Sequence, residues 1–325
     1  MDRKFYCILP VLFVLLAACG RASEEVTVIK LAHGLDTNHP VHKGMVYMSE
    51  KVEEKSEGKM RVEIFPNGQL GSERELIELV QIGLISITKV SSAVLENFVP
   101  KLKVFSIPYV FRDYEHRWKV LQGDIGKQIL LSGEQFLIRG LCYYDAGSRS
   151  FYTKDFPILE PEDLSGLKVR VMKSQTSIQT IQALGGSSTP ISWGELYSAL
   201  QQGIVDAAEN NPPSFFYSRH YELCKYYSID EHTSPPDVLL ISTHTWNKLS
   251  EEQKNILQAA VDESVEYQKQ LWKETEQQIL DELKSSGVEI HYPDKEKFRQ
   301  AVKSVYESYK GTEIYRIIEE VQAIK

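Results

Sequence analysis

Arg149 and Arg170 lie 21 residues apart, in the stretches Gly147-Ser148-Arg149 and Leu164-Ser165-Gly166-Leu167-Lys168-Val169-Arg170. A guanidinium is always charged and presents paired N–H donors in the planar spacing that a carboxylate accepts. Two such forks converging in a cleft would make a receptor for a small organic anion; the competing use is a domain-interface salt bridge. Glu209-Asn210-Asn211-Pro212-Pro213 adds two amides, each able to donate and accept, as the hydroxyls of a polyol acid require. The same run also reads as a turn, with Asn preceding prolines. Trp193 could stack on a sugar ring or fill a core. His33, His39 and His42 form the one histidine cluster, and two of them stand three apart as metal ligands can. No thiolate or acidic run reinforces them, so no metal is expected. His33 is better placed to touch an organic ligand.

Signatures of catalysis are missing: there is no G-x-S-x-G elbow, Walker A loop, G-x-G-x-x-G or H-E-x-x-H. Carboxylate pairs carry no specificity in an acidic chain. No enzyme and no cofactor are expected. Two alternatives stay open, an extracellular enzyme acting on sugar acids and a metal-binding lipoprotein using His33, His39 and His42.

The elements that would position these groups alternate strand and helix. Val26 to Ala32 reads as a strand, followed by a helix from Pro40 to about Glu57. Met60 to Phe65 is a strand ended by Pro66-Asn67-Gly68, and Ser72 with Glu75 has capping-box spacing. Leu84 to Ser91 and Leu137 to Tyr144 are strands, the second feeding a loop that carries Arg149. Leu167 to Val171 is a strand closed by Arg170, and a helix runs from Ser174 to Leu184. Ser192 to Glu195 has the spacing of a second box, Val205 to Ala208 and Val238 to Ser242 read as strands, and a long helix starts at Ser250. Alternation of this kind predicts an α/β fold, each sheet mixed but mostly parallel and flanked by helices. Ligands of open α/β sheets collect at the carboxyl ends of strands, where both arginines are expected.

The chain has 325 residues and a net charge of −8. Arg3 and Lys4 precede an apolar run from Phe5 to Ala18 that is too short to span a bilayer and is broken by Pro10. It ends in Leu16-Ala17-Ala18-Cys19, which resembles a lipobox. Residues 1–18 are therefore expected to be a lipoprotein signal peptide, with Cys19 lipidated and the protein held outside the cytoplasm on a bacterial membrane. Processing there would leave 307 residues with a net charge of −9. That length suits two domains. The expected division is 24–146 with 236–275 for the first and 147–235 with 276–325 for the second. The acidic balance argues against nucleic acid. Cys142 and Cys224 could pair or remain two buried thiols.

Taken together, the chain resembles the solute-binding proteins of TRAP transporters, the DctP-type periplasmic receptors, from roughly Val26 to Glu320. The resemblance rests on Phe65-Pro66-Asn67-Gly68-Gln69-Leu70-Gly71 with Arg74-Glu75, and on Ile107-Pro108-Tyr109-Val110-Phe111-Arg112. It continues in Asp163 to Arg170, in Pro190-Ile191-Ser192-Trp193-Gly194-Glu195-Leu196-Tyr197, and in Asp206-Ala207-Ala208-Glu209-Asn210. It implies a hinge-connected, two-domain periplasmic-binding-protein-like fold crossed by a long helix, and a small carboxylate as ligand. Membrane permease subunits would be its partner. By the same resemblance Arg170 matches the arginine that pairs with the ligand carboxylate, Arg149 the assisting arginine, and Asn210 an asparagine beside them. Trp193 matches a pocket wall, and Glu73 lies in a loop that contacts the distal end of the ligand. His33 and Asn211 are expected to read hydroxyls with Glu73. Met172 departs from the usual proline or polar residue, and Glu209-Asn210-Asn211-Pro212-Pro213-Ser214 is similar to members that bind hexuronates. Glucuronate or galacturonate is thus the expected ligand.

Overall fold

The structure, a computed structural model, describes residues 26–325. Cys19 and the expected signal peptide lie outside those residues. Among the described residues, eleven strands form two sheets. The strands are β1 (Thr27–Ala32), β2 (Met60–Phe65), β3 (Ile87–Ser91), β4 (Ile138–Tyr144), β5 (Arg149–Thr153) and β6 (Lys168–Val171). The remaining five are β7 (Ser187–Pro190), β8 (Ala207–Asn210), β9 (Tyr226–Thr233), β10 (Asp237–Ser242) and β11 (Glu289–His291). One sheet runs β2-β1-β3-β10-β4 and the other β11-β9-β5-β8-β6-β7.

Both sheets are mixed, as expected. β1 pairs in parallel with β2 and β3, while β10 runs antiparallel between β3 and β4. β6 is parallel to β7 and β8, and β5 is antiparallel to β8 and β9. Every residue of β3, β5, β8 and β10 is buried, because helices cover both faces of these central strands.

The chain crosses between the sheets from β4 to β5 and from β9 to β10. At the first crossing Arg117 donates to Asp145 Oδ1 and to the Gly147 carbonyl, both at 2.7 Å. Gln268 brackets the Asp145 backbone, accepting from its N–H at 2.8 Å and donating to its carbonyl at 2.9 Å. Gly147 has φ +60°, and a Cβ there would stand 2.8 Å from Trp272 Cζ2, so only glycine lets the crossing lie this close to the helix. Trp272 and Gln268 belong to a 35-residue helix, Glu251–Ser285, started by the Ser250–Gln253 capping box. Its Leu257, Val261 and Val265 enter the larger hydrophobic core, and its Ile279 and Leu283 enter a second core around Tyr152, Leu200 and Phe215. The last helix, Glu313–Ala323, packs on residues 100–106, and His116 Nε2 bonds the Val321 carbonyl at 3.0 Å.

Three local expectations shift. Arg149 opens β5 rather than sitting in a loop; β5 is antiparallel to β8, so its start meets the end of β8, with Ser150 opposite Asn210. The 192–195 box does not form: Ser192 makes no side-chain cap, Trp193–Glu195 is a 3-10 turn, and the helix begins only at Leu196. The strand expected at 205–208 lies at Ala207–Asn210, which puts Asn210 inside the sheet. Cys142 and Cys224 are separate buried thiols.

Candidate functional site

A cavity of about 430 Å³ opens between the two sheets. That size lies within the range of about 300–1,000 Å³ common to small-molecule sites. Arg149, Arg170, Trp193, Asn210, Asn211 and Glu73 all line it.

The wall given by the six-stranded sheet holds both arginines. Arg149 is spent on its own neighbours. Its Nε and Nη2 make a fork onto the Glu209 carboxylate, Nη2 also donates to the Glu209 carbonyl at 2.7 Å, and Nη1 donates to Asn210 Oδ1 at 2.7 Å. Burial pushes the Glu209 carboxyl up, but Arg149 and then His232 hold its pKa at about 2. Behind it, His232 Nδ1 bonds Asp230 Oδ2 at 2.8 Å, and Nε2 lies 3.7 Å from Glu209 Oε2. Burial opposes the imidazolium there, yet Asp230 and Glu209 raise its pKa to about 9. Arg149 and His232 are each matched by a carboxylate.

Arg170 differs. It is only 2% exposed, and its Nε donates to the Ile191 carbonyl at 2.9 Å. Its Nη1 is buried without a hydrogen-bond partner, and no carboxylate stands within salt-bridge distance among the described residues. Burial lowers its pKa, and Arg149 adds to the effect. A guanidinium stays charged through such a shift, so one positive charge without a carboxylate in salt-bridge range sits on a residue that lines the cavity. The Trp193 ring centroid is 5.8 Å from its Cζ. Asn210 Oδ1 is taken by Arg149 and by the Asn211 N–H, leaving its amide NH₂ free of bonds from the described residues. Asn211 caps the helix Pro212–Tyr217, accepting from Ser214 N at 2.8 Å and donating to the Ala146 carbonyl at 2.9 Å. Its side chain thus also serves the turn.

The wall given by the five-stranded sheet was only half foreseen. Lys89, on β3 and 2% exposed, donates to Glu73 Oε1 and Asp237 Oδ1, each at 3.2 Å. Glu73 is held at the first turn of its helix, where Ser72 and Glu75 form the expected box, and also accepts from Ser91 N at 3.2 Å. Burial opposes the Lys89 ammonium, but Asp237 and Glu73 raise its pKa. Burial and then Glu73 raise the Asp237 carboxyl against the pull of Lys89. Sequence reasoning missed Lys89 and Asp237. The available signal was a lone lysine in the apolar run Ile87-Thr88-Lys89-Val90, which only a buried partner explains.

His33 does not reach the cavity. It is fully buried, accepts from Leu35 N at 3.1 Å on Nδ1 and therefore donates from Nε2 to His42 Nδ1 at 3.0 Å. Gly34 and Leu35, just beyond it, line the cavity instead. Burial, reinforced by Lys89, lowers its pKa to about 2. His39 likewise accepts from Val41 N and reaches Ser214 Oγ at 3.2 Å. With these nitrogens committed, the three histidines do not converge, and no group of three or more metal-ligating side chains occurs among the described residues.

Comparison with known proteins places this geometry in context. Residues 31–312 match the family DctP, described as bacterial extracellular solute-binding protein, family 7. The chain is 40% identical over 314 residues to the uncharacterized protein YiiZ of Salmonella typhimurium, covering 96% of both chains. It is also similar to two solved TRAP periplasmic solute-binding proteins. One, from Bradyrhizobium sp. BTAi1 in complex with D-galacturonate, is 39% identical with a TM-score of 0.88, covering 90% of this chain and 99% of that one. The other, from Pseudomonas putida F1 with bound D-glucuronate, is 36% identical with a TM-score of 0.88, covering 92% and 97%.

Proposed function

The chain belongs to the DctP family of bacterial extracellular solute-binding proteins, and from that premise we propose that it captures a hexuronate such as glucuronate or galacturonate. It is a receptor and not an enzyme. The observation that carries the ligand reading is Arg170, buried, charged and with Nη1 unpartnered at the cavity wall. A bidentate carboxylate supplies the missing charge and acceptors together.

In this reading Arg170 holds the carboxylate. Arg149, locked by Glu209, lends its field and fixes Asn210, whose free NH₂ adds a donor. Trp193 offers a face to the sugar ring, and Glu73 accepts from a hydroxyl. The two halves, 24–146 with 236–275 and 147–235 with 276–325, close over the ligand, and the contacts made only in the closed form set the affinity. The closed form then docks on the membrane permease subunits of a TRAP transporter. The protein works outside the cytoplasm, carried there by the signal in residues 1–18 and tethered through lipid on Cys19. No described helix is long and apolar enough to cross a membrane.

Thermal unfolding of the soluble body with glucuronate, galacturonate and other carboxylates tests the ligand. A hexuronate at a hundred times its Kd stabilises by about 2.7 kcal/mol. The absence of a shift with either hexuronate overturns the assignment. Cys19→Ser should move the protein from the membrane fraction to the soluble one, and retention there would refute the anchor.

A further inference from the structure

The charges buried around the cavity divide unequally between its walls. On the six-stranded side Arg149 and His232 are answered by Glu209 and Asp230, and Arg170 is left over. On the five-stranded side one ammonium, Lys89, stands between two carboxylates, Glu73 and Asp237, each 3.2 Å away. Counted by formal charge, one ammonium between two carboxylates leaves this wall with one negative charge in excess. Arg74, Glu75, Lys173 and Glu195 also border the cavity, but all are exposed and screened by solvent.

The hydrogen-bond inventory has the same slant. Lys89 gives two of its three hydrogens to Glu73 and Asp237, so one remains. Glu73 receives Lys89 and Ser91 on Oε1, and Asp237 receives Lys89 on Oδ1. The second oxygen of each carboxylate carries no hydrogen bond from the described residues. One donor and two acceptor oxygens on residues that line the cavity therefore stay unused, a set that suits hydroxyl groups, which donate and accept at once. A carboxylate brought to this wall can only accept. It would be the third carboxylate around a single buried ammonium.

We propose that Glu73, Lys89 and Asp237 form a charge filter that admits sugar acids with one carboxylate and rejects those with a carboxylate at each end, the aldarates. The filter rests on the preceding reading, in which Arg170 takes the first carboxylate, and it deepens that reading by fixing what the other end of the ligand must be. Affinity for the shared carboxylate comes from one wall, and discrimination comes from a like-charge clash on the other.

Calorimetric titration of the wild-type protein with three compounds tests it: galacturonate, its open-chain monoacid galactonate, and galactarate, the same open chain with carboxylates at both ends. Galactarate should bind at least about 100-fold more weakly than galactonate, a difference of about 2.7 kcal/mol. In Glu73→Gln and Asp237→Asn, each of which removes one negative charge, the ratio of galactonate to galactarate affinity should fall by about tenfold or more. Galactarate binding as tightly as galactonate overturns the filter while leaving the hexuronate receptor intact. Galactonate as weak as galactarate, with galacturonate tight, overturns it too, since ring shape would then explain the selection. A wild-type ratio unchanged in both variants removes these residues from the role. If neither galacturonate nor glucuronate binds, the receptor reading itself falls and the filter falls with it. The wild-type ratio needs no variant to fold, and Glu73, at a helix start and partly solvated, tolerates the milder of the two changes.

Discussion

The two walls of the cavity use the same materials, buried cations and carboxylates, and end with opposite remainders. On the six-stranded side Arg149 meets Glu209 as a fork, while Arg170, 2% exposed, has no carboxylate in salt-bridge range among the described residues. On the five-stranded side Lys89 has one partner too many. A buried charge is tolerated only when compensated, so each wall is complete only with what arrives from outside. One wall waits for an anion and the other for hydroxyls.

The largest test removes the unmatched charge. Arg170→Ala should weaken hexuronate binding at least about 1,000-fold, roughly 4 kcal/mol, by calorimetry. Arg170→Lys should recover little of it, because an ammonium cannot present the planar fork. Wild-type affinity in Arg170→Ala would erase the distinction between the arginines. Next, Glu209→Gln strands Arg149 and His232, and urea unfolding should show a loss of about 3 kcal/mol, as for other broken buried pairs. If that variant keeps its stability, the matched half of the comparison is wrong.

Lys89→Met leaves Glu73 beside Asp237 with no cation between. One carboxyl should then hold its proton to higher pH, with its folded pKa above the unfolded value. The penalty is absent below the unfolded carboxyl pKa and grows as pH rises through the folded one, reaching about 2 kcal/mol. Melting curves from pH 4 to 8 read it directly. A separate effect lies away from both walls, at the crossing. Burial, then Asp145, raises the Glu276 carboxyl to about 7. Its folded pKa exceeds the unfolded one, so the stability it costs is absent at low pH and grows as pH rises from about 4.5 to 7. Glu276→Gln should therefore melt higher than wild type at pH 8, by about 3 kcal/mol, and come close to it near pH 4.5. A variant indistinguishable at both values would show that this carboxyl is not perturbed.

What could be read from the sequence was largely local. The Ser72–Glu75 and Ser250–Gln253 boxes depend on residues three apart, and both form. Arg170 was legible because a strand followed by a helix start places its end at a cleft. The histidine at the end of β1 misled, since position along a strand says nothing about which way the side chain turns; His33 turned to His42. Arg149 was expected to assist Arg170 on the carboxylate, but its partner Glu209 is 60 residues away, brought alongside by antiparallel pairing. Lys89 and Asp237 are separated by 148 residues and meet only because β10 returns between β3 and β4. Long-range pairing of this kind leaves no periodic trace, and a single lysine in an apolar strand was the only mark.

The helix Glu251–Ser285 has one further consequence. At 35 residues it is about 52 Å long, and its two ends are seated in different hydrophobic cores. It behaves as a strain gauge bonded to both halves of the molecule. Any rotation of one half against the other must bend this rod or slide one of its ends. A pair of fluorophores, one near Glu252 and one near Asp281 on exposed turns, would convert that bending into an optical signal without touching the cavity. If the halves close over the ligand as proposed, the protein already contains the mechanical part of a reporter for it.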